Sequence, residues 1–342
     1  MPVTLKDIAE RVGKSVPTVS RALANFPDIS SETREEIQRV AQEMGYVPNI
    51  TARNLQKQHT DTVSLILPVA NHLKISDPFF SEFLSGVVET TTNSNFSLIL
   101  ISSEQETERE TYLKLIRNSQ VDGFIVMRTR QQDKRIDLLN SQNIPFVAFG
   151  RIAGENDFPF VDSNDELGIR LVVDHLVELG HTRLGFIAEP TLFTKSSNRL
   201  QGYLQGLRAH GLAYDPNLIV EANFRQPSGK ISSETLLSLP EPPTAIIASN
   251  DLLALGALNA AQEHHLEVGK DISITGYDDI LLAEYATPPL TTVNQPAYQF
   301  GTQLTDMLIK IIRKETLEEQ HILHAPSLVI RQSTAPRRTA NP

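Results

Sequence analysis

The sequence contains no cysteine, which excludes a disulfide framework and any zinc site built on thiolates. It has no uninterrupted apolar stretch of the roughly 18 residues that a membrane span needs. Its opening, MPVTLKDIAERVGKS, lacks the apolar run of a secretory signal. The nine histidines form no His-x-x-x-His pair, and no Gly-rich phosphate loop is present. The expectations that follow are a cytoplasmic protein with no membrane contact, no metal site, no cofactor and no enzymatic turnover. What is present is a chain of 342 residues, 40% hydrophobic and 21% charged. That is a soluble globular composition, on a chain too long for one ordinary core.

The net charge of −10 argues against nucleic-acid binding until it is read by segment. The first sixty residues carry eight cations and seven anions, a net +1, so the acidity lies in the remainder, at −11. A segment this weakly basic makes charge alone a poor argument for DNA.

Helical spacing says more. Thr4 can cap a helix whose apolar face is Leu5, Ile8, Ala9 and Val12, with Asp7 completing a capping box. Gly13 breaks it. Ser15 can cap a second helix to Leu23, with Val16, Val19 and Leu23 inward and Pro17 in the first turn, where a missing N–H costs nothing. A third helix starts near Ser30, with Ile37, Val40, Ala41 and Met44 on one face, and ends at Gly45. Two short helices around a tight turn make a helix-turn-helix, although the spacing equally suits a three-helix bundle that binds no nucleic acid. The turn Tyr46-Val47-Pro48-Asn49 leads into residues 50–56, one or two helical turns that are too short to be stable without a partner surface.

These segments resemble the headpiece of the lac repressor (LacI/GalR) family. The resemblance is carried by Thr4-Leu5-Lys6-Asp7-Ile8-Ala9, Val12-Gly13-Lys14-Ser15, Thr18-Val19-Ser20-Arg21-Ala22-Leu23, Thr33-Arg34 and Gly45-Tyr46-Val47-Pro48-Asn49, in order and at the right separations. Further matches run to about residue 335. The resemblance implies that the second helix enters the major groove of a palindromic operator, with Val16, Pro17 and Arg21 reading bases. Arg21 can donate two hydrogen bonds to guanine, worth about 1–3 kcal/mol of discrimination. It places Thr4, Ser15, Thr18, Ser20, Ser30 and Thr33 against phosphates, where they set register; helix capping is an equal alternative for each. Residues 49–56 match the family's hinge helix, in which Asn49 contacts DNA, Ala52 packs in the minor groove and Leu55 wedges between base pairs, a device that kinks duplexes.

In the remainder, short apolar runs alternate with helix-length stretches. Strand candidates are Val63–Leu67, Leu98–Ile101, Phe124–Met127, Phe146–Phe149, Leu184–Ile187, Ala245–Ala248 and Ile272–Gly276. Helical patterns include Glu82–Thr91, Leu167–Leu179, Arg199–His210 and Leu252–His264. The alternation indicates parallel sheets covered on both faces, with ligands at the carboxyl ends of the strands. The expected fold is an all-α helix-turn-helix headpiece plus an α/β two-lobed body like the type I periplasmic binding proteins, with parallel sheets. The expected domains are a headpiece 1–47, a hinge helix and linker 48–60, and an effector-binding, dimerising body 61–342. Its N-lobe is drawn at about 61–160 plus 293–322, its C-lobe at about 163–289 plus 323–335. The return crossings, through a helix Ala297–Lys314, come from the resemblance.

Loops after the strands supply the candidate effector ligands. Phe79 or Phe80 can stack on a sugar face, and either can be core. By family position Arg199, Asn250, Asp278 and Gln295 match effector contacts, offering the paired donors and acceptors that vicinal hydroxyls need. Asp251 has an alternative as a helix cap, and Asp279 as a loop anchor. Where some sugar-binding members end the fourth strand in an acid, this chain has Gly150 followed by Arg151, a further candidate contact. Asp162 can compensate or can cap the helix near Glu166. The resemblance thus implies a sequence-specific transcriptional regulator, in the commoner arrangement a repressor, switched by a small carbohydrate or related effector between the lobes. No leucine heptads follow residue 335, so a homodimer is expected. The competing readings are a solute receptor, which the N-terminal helix-turn-helix disfavours, and an enzyme, for which no motif is found.

Overall fold

The computed structural model describes residues 3–46, 59–68, 75–104, 106–154 and 157–338. Two compact units, residues 1–60 and 61–342, are described separately.

The first unit holds α1 (Leu5–Val12), α2 (Val16–Leu23) and α3 (Ser31–Glu43). Each helix starts on a hydroxyl cap: Thr4 accepts from Asp7 N, Ser15 from Thr18 N and Ser30 from Thr33 N. Thr4 and Asp7 form the full capping box. Gly13, at φ 63°, ends α1 in the left-handed conformation that glycine adopts without strain. Ile8, Ala9, Val19, Ala22, Ile37, Val40 and Ala41 make the core. Val16 departs from the inward reading, at 40% exposed. It sits in the first turn of α2, outside the pair Val19 and Ala22 that this short helix buries.

The second unit has two six-stranded sheets. The first uses β1 (Thr62–Pro68), β2 (Ser97–Ser103), β3 (Gly123–Val126), β4 (Phe146–Phe149), β5 (Phe160–Ser163) and β11 (His321–His324), ordered β11-β5-β4-β3-β1-β2 and all parallel. The second uses β6 (Leu184–Ala188), β7 (Ile219–Glu221), β8 (Ala245–Ala248), β9 (Ser273–Asp278), β10 (Thr291–Asn294) and β12 (Ser327–Val329), ordered β12-β10-β9-β8-β6-β7. Only β12 runs antiparallel there.

Side-chain alternation explains the layers. In β1, Val63, Leu65 and Leu67 join the cluster under α4 (Pro78–Asn93) and α12 (Ala297–Ile312), while Ile66 joins the opposite cluster under α5 (Glu108–Arg117) and α6 (Lys134–Ser141). In the second sheet, Ile246 and Ile274 face α10 (Asp251–Glu263), next to which lies α9 (Gln226–Leu237). Ile247 and Phe186 face α7 (Asp165–Glu178) and α8 (Thr194–Ala209). A one-turn helix, α11 (Leu281–Glu284), follows β9. Helix α12 returns to the first lobe and packs so closely on α4 that side chains at Gly86 or Gly301 would strike the partner backbone.

The lobe boundaries fall differently from those drawn on the sequence. Val293 and Asn294 pair with Tyr277 and Asp278, in the second sheet. Leu323 and His324 pair with Asp162 and Ser163, in the first. Pairing partners decide the boundary, and the sequence of a short strand does not reveal them.

Candidate functional site

The carboxyl ends of the strands of both sheets face one cavity of about 90 Å³. The first lobe contributes Asp77, Phe79 and Phe80 from the start of α4, Met127-Arg128-Thr129 after β3, and Phe149 of β4. The second contributes Glu189 after β6, Phe193, Lys195, Ser196 and Arg199 at the start of α8, Phe224, Asn250 after β8, Asp278 ending β9 and Gln295 after β10.

Arg199, only 5% exposed, is the electrostatic centre. Its Nε donates to Asp165 Oδ1 at 3.1 Å and its Nη1 to the Ser249 carbonyl. Its Nη2 reaches Asp278 Oδ1 at 3.4 Å, and its guanidinium lies 4.0 Å from the centre of the Tyr277 ring. Glu189 is 3.7 Å away, and also accepts from Ser196 Oγ at 3.1 Å and from Asn250 Nδ2 at 2.6 Å. Gln295 Nε2 donates to Asp278 Oδ1 at 2.6 Å. Burial raises the Asp278 carboxyl well above the ordinary carboxylate range; Arg199 pulls it back, while Asp251, Glu189 and Asp77 push it further up. Asp278 also sits at φ 114°, a conformation unfavourable for any residue with a side chain.

The structure therefore brings Phe79, Phe80, Arg199, Asn250, Asp278 and Gln295 to one cavity. Phe80 does so from the core, 1% exposed and stacked on Phe83 at 6.4 Å, so Phe79 is the ring of the two that is half-buried at the cavity. Arg151 is not brought there. Its Nε donates to Asp162 Oδ2 at 2.9 Å, because Asp162 is fully buried and requires cations. Lys195 lines the cavity near Gly150, its Nζ 2.8 Å from Asp162 Oδ1 and 4.6 Å from the centre of the Phe149 ring. Gly150 is held at φ 107°, with Thr129 where a side chain would go.

Two alternatives resolve differently. The cap of α10 is Asn250, whose Oδ1 accepts from Leu253 N at 2.8 Å, and not Asp251. Asp162 caps nothing: Asn164 caps α7. Asp279 does hold a loop, 2.8 Å from Arg331. Sequence reasoning placed Asp77 in a cleft-lining loop and missed Arg128, Thr129, Glu189, Phe193, Lys195 and Phe224 as lining residues. Arg128, Thr129 and Glu189 directly follow strands, so the strand-end rule, applied to every strand, would have found them.

Within the first unit, Val16, Pro17 and Arg21 are all exposed on α2. Arg21 pairs with Asp28 at 2.9 Å and lies 5.4 Å from the Phe26 ring centre. Thr4, Ser15 and Ser30 are exposed and are the helix caps; Thr18, Ser20 and Thr33 are half-buried. Ser15 and Thr18 hydroxyls bond at 2.8 Å, and Ser30 and Thr33 at 2.9 Å. Asn49, Ala52 and Leu55 lie outside the described residues.

Two family profiles match the chain: "Bacterial regulatory proteins, lacI family" over residues 4–49 and "Periplasmic binding protein-like domain" over residues 173–334. The HTH-type transcriptional repressor CytR of Escherichia coli K12 is 36% identical over 335 residues, covering 97% of this chain and 96% of CytR. A solved complex of the transcriptional regulator CelR with cellobiose is 31% identical at a TM-score of 0.74, covering 97% and 99% of the two chains. The lac repressor dimer bound to operator and the anti-inducer ONPF is 27% identical at a TM-score of 0.87, covering 98% and 100%.

Proposed function

Because the chain belongs to the lacI family of bacterial regulatory proteins, we propose that it is a repressor that binds a palindromic operator as a homodimer and is switched by a small carbohydrate in the cavity between its lobes. It is a helix-turn-helix transcriptional regulator and not an enzyme. The observation that carries the reading is the cavity itself, at the carboxyl ends of two sheets of one chain that also bears a helix-turn-helix. Such a cavity, lined by five aromatic rings and a few convergent polar groups, has the make-up of a small-molecule site. The lac repressor dimer on operator and the CelR complex with cellobiose supply the DNA and sugar halves by likeness. Among the described residues no helix is long and apolar enough to cross a membrane, and a DNA-binding repressor works in the cytoplasm.

In this reading residues 1–47 form the DNA-binding headpiece, 48–60 the hinge helix and linker, and 61–342 the effector-binding and dimerising body. Val16, Pro17 and Arg21 read bases. The hydroxyls of Thr4, Ser15, Thr18, Ser20, Ser30 and Thr33 face phosphates, and Asn49, Ala52 and Leu55 engage the minor groove. Phe79, Arg199, Asn250, Asp278 and Gln295 surround the effector. A ligand shifts operator binding only by its differential affinity for two lobe arrangements, with coupling usually of about 1–3 kcal/mol.

Light scattering and gel shift on a selected operator test this. Two chains per palindrome and an affinity that falls steeply with salt are expected. A monomer on DNA overturns the reading.

A further inference from the structure

The described part of the first unit leaves two large apolar side chains exposed, Val16 at 40% and Phe26 at 47%. They bracket α2: Val16 opens the helix, and Phe26 follows its last residue, Leu23, in the turn to α3. An exposed apolar side chain alone means little. Phe26 differs in how it is held. Its N–H donates to the Arg21 carbonyl at 3.0 Å, and its own carbonyl accepts from Arg34 Nη2 at 2.8 Å and from the Ile29 N–H at 3.4 Å. Arg34 Nη2 also donates to the Ile29 carbonyl at 3.1 Å. Before the ring, Asn25 turns the chain at φ 58°, and its Oδ1 accepts from Gln38 Nε2 at 3.2 Å. After it, Pro27 restricts the backbone through its own ring. The main chain is thus tied to α2 and α3 on both sides of Phe26. The Phe26 ring joins neither the core of the unit nor the side chains packed on that core.

What the ring meets is Arg21, whose guanidinium carbon lies 5.4 Å from the ring centre. Arg21 is the side chain on α2 with the reach and the paired donors to read a guanine. A rigidly held neighbour of that guanidinium enters the same groove with it. Successive bases are about 3.4 Å apart along a strand, so the ring falls one or two steps from the base that Arg21 reads. A phenyl ring has no donor or acceptor for a base edge. The apolar feature that the major groove offers it is the 5-methyl group of thymine. A phosphate is the poorer destination, because the Asp28 carboxylate, two residues on and 2.9 Å from Arg21, opposes it.

We propose that Phe26 is a specificity-determining residue whose ring packs on the 5-methyl group of a thymine one or two steps from the guanine read by Arg21. This rests on the reading of the first unit as a DNA-binding headpiece. Phe26 adds to the recognition helix an apolar reader that lies outside the helix itself.

The test is titration of the full chain on a selected operator in which thymines are replaced one at a time, in both half-sites, by deoxyuridine, which lacks only the methyl group. Arg21→Ala first locates the guanine. One thymine within two steps of it should cost the wild type about fourfold per half-site on exchange, the scale of one buried methyl group. Phe26→Ala should bind the thymine and deoxyuridine operators alike, no tighter than the wild type binds the latter, and should melt at the wild-type temperature because the ring lies outside the core. Phe26→Leu, still apolar, should keep part of the discrimination. Wild-type indifference to deoxyuridine at every thymine near the guanine overturns the proposal, whatever the variants do. A Phe26→Ala loss of equal size with and without the methyl group also overturns it, and assigns the ring to phosphate or to protein. Failure to bind any palindrome specifically counts against the headpiece reading itself and takes this inference with it.

Discussion

Lys195, on α8 of the second lobe, holds its ammonium nitrogen 2.8 Å from a carboxylate oxygen of Asp162, on β5 of the first. Burial alone would raise the Asp162 carboxyl, yet Lys195 and Arg151 together hold it below the ordinary range. The carboxylate is therefore charged in the folded chain and depends on both cations. Lys195→Met should destabilise the chain by about 3–5 kcal/mol, the usual cost of orphaning a buried ion. Adding Asp162→Asn to Lys195→Met should restore much of the loss. Urea unfolding of wild type and the two variants checks this, and equal midpoints for wild type and Lys195→Met would show the pair to be idle.

Arg199 and Asp278 divide structural and ligand-binding work unequally. Arg199 faces Asp165, Glu189 and Asp278 from a buried position, so Arg199→Ala should abolish the effector response and also lower ligand-free stability by several kcal/mol. Asp278→Asn is the cleaner probe, because it removes one member of a crowded acid cluster. Its ligand-free stability should be unchanged or improved, its effector affinity reduced by about tenfold, the scale of one lost hydrogen bond, and its operator affinity retained. Calorimetry with the effector and gel shift on operator separate the two variants; effector affinity retained in both refutes their place in the site.

Asp251 supplies a pH signature. Fully buried between β9, β10 and α10, it accepts from Thr292 Oγ1 at 2.5 Å and Ile280 N at 2.9 Å, and burial pushes it up to about 7. The folded state therefore holds a proton that the unfolded state releases near pH 4. Stability from this group is complete below the ordinary carboxylate value and is lost as pH rises to about 7, by at most about 4 kcal/mol. Asp251→Asn should flatten that decline. Chemical denaturation at pH 5 and pH 8 for both proteins measures it, and an equal pH dependence in both would assign the proton elsewhere.

Asp28 restrains the guanidinium of Arg21, with Phe26 beside it. Both charged side chains are exposed, so the pair itself contributes little to stability. Its consequence is for DNA, because an anion next to a base-reading arginine opposes phosphates. Asp28→Asn should raise operator affinity a few-fold, most at low salt. Arg21→Ala should cost about 1–3 kcal/mol of discrimination at one guanine. Titrations on matched and single-base-changed operators distinguish loss of discrimination from uniform weakening.

Legibility in the sequence followed the physics of each element. The headpiece was nearly complete on paper because caps and breaks are local: Thr4, Ser15, Ser30 and Gly13 act on neighbours within a few residues. Central strands such as Phe146–Phe149 and Ala245–Ala248 stood out because burial on both faces leaves an unbroken apolar run. Edge strand β11 did not: His321–His324 offers only Ile322 and Leu323 between two histidines and takes its identity from its partner β5. Helices α5, α6 and α9 are not among the helical patterns named from the sequence; α9 contains Pro, Gly and three Ser and is helical through packing on α10. In the cavity, Arg199 and Asp278 followed from the family pattern. Lys195 did not, because its partner Asp162 is 33 residues away on another sheet, a distance no local pattern encodes.

The interleaving of the two lobes also fixes an order of events at the ribosome. The first sheet is finished by β11, and the face of β1, β3 and β4 is covered by α12 through Phe300, Leu304 and Leu308. Those segments are made only after the whole of β6 to β10. Until about residue 312 has emerged, the nascent first lobe carries Val63, Leu65, Phe83 and Val147 without their lid, an apolar surface of the kind that makes partly made chains aggregate. The second lobe, missing only the short edge strand β12 at that stage, can close earlier. The lobe encoded first is therefore the lobe completed last, and a chain cut short between β10 and α12 yields a protein with one nearly finished half and one sticky one.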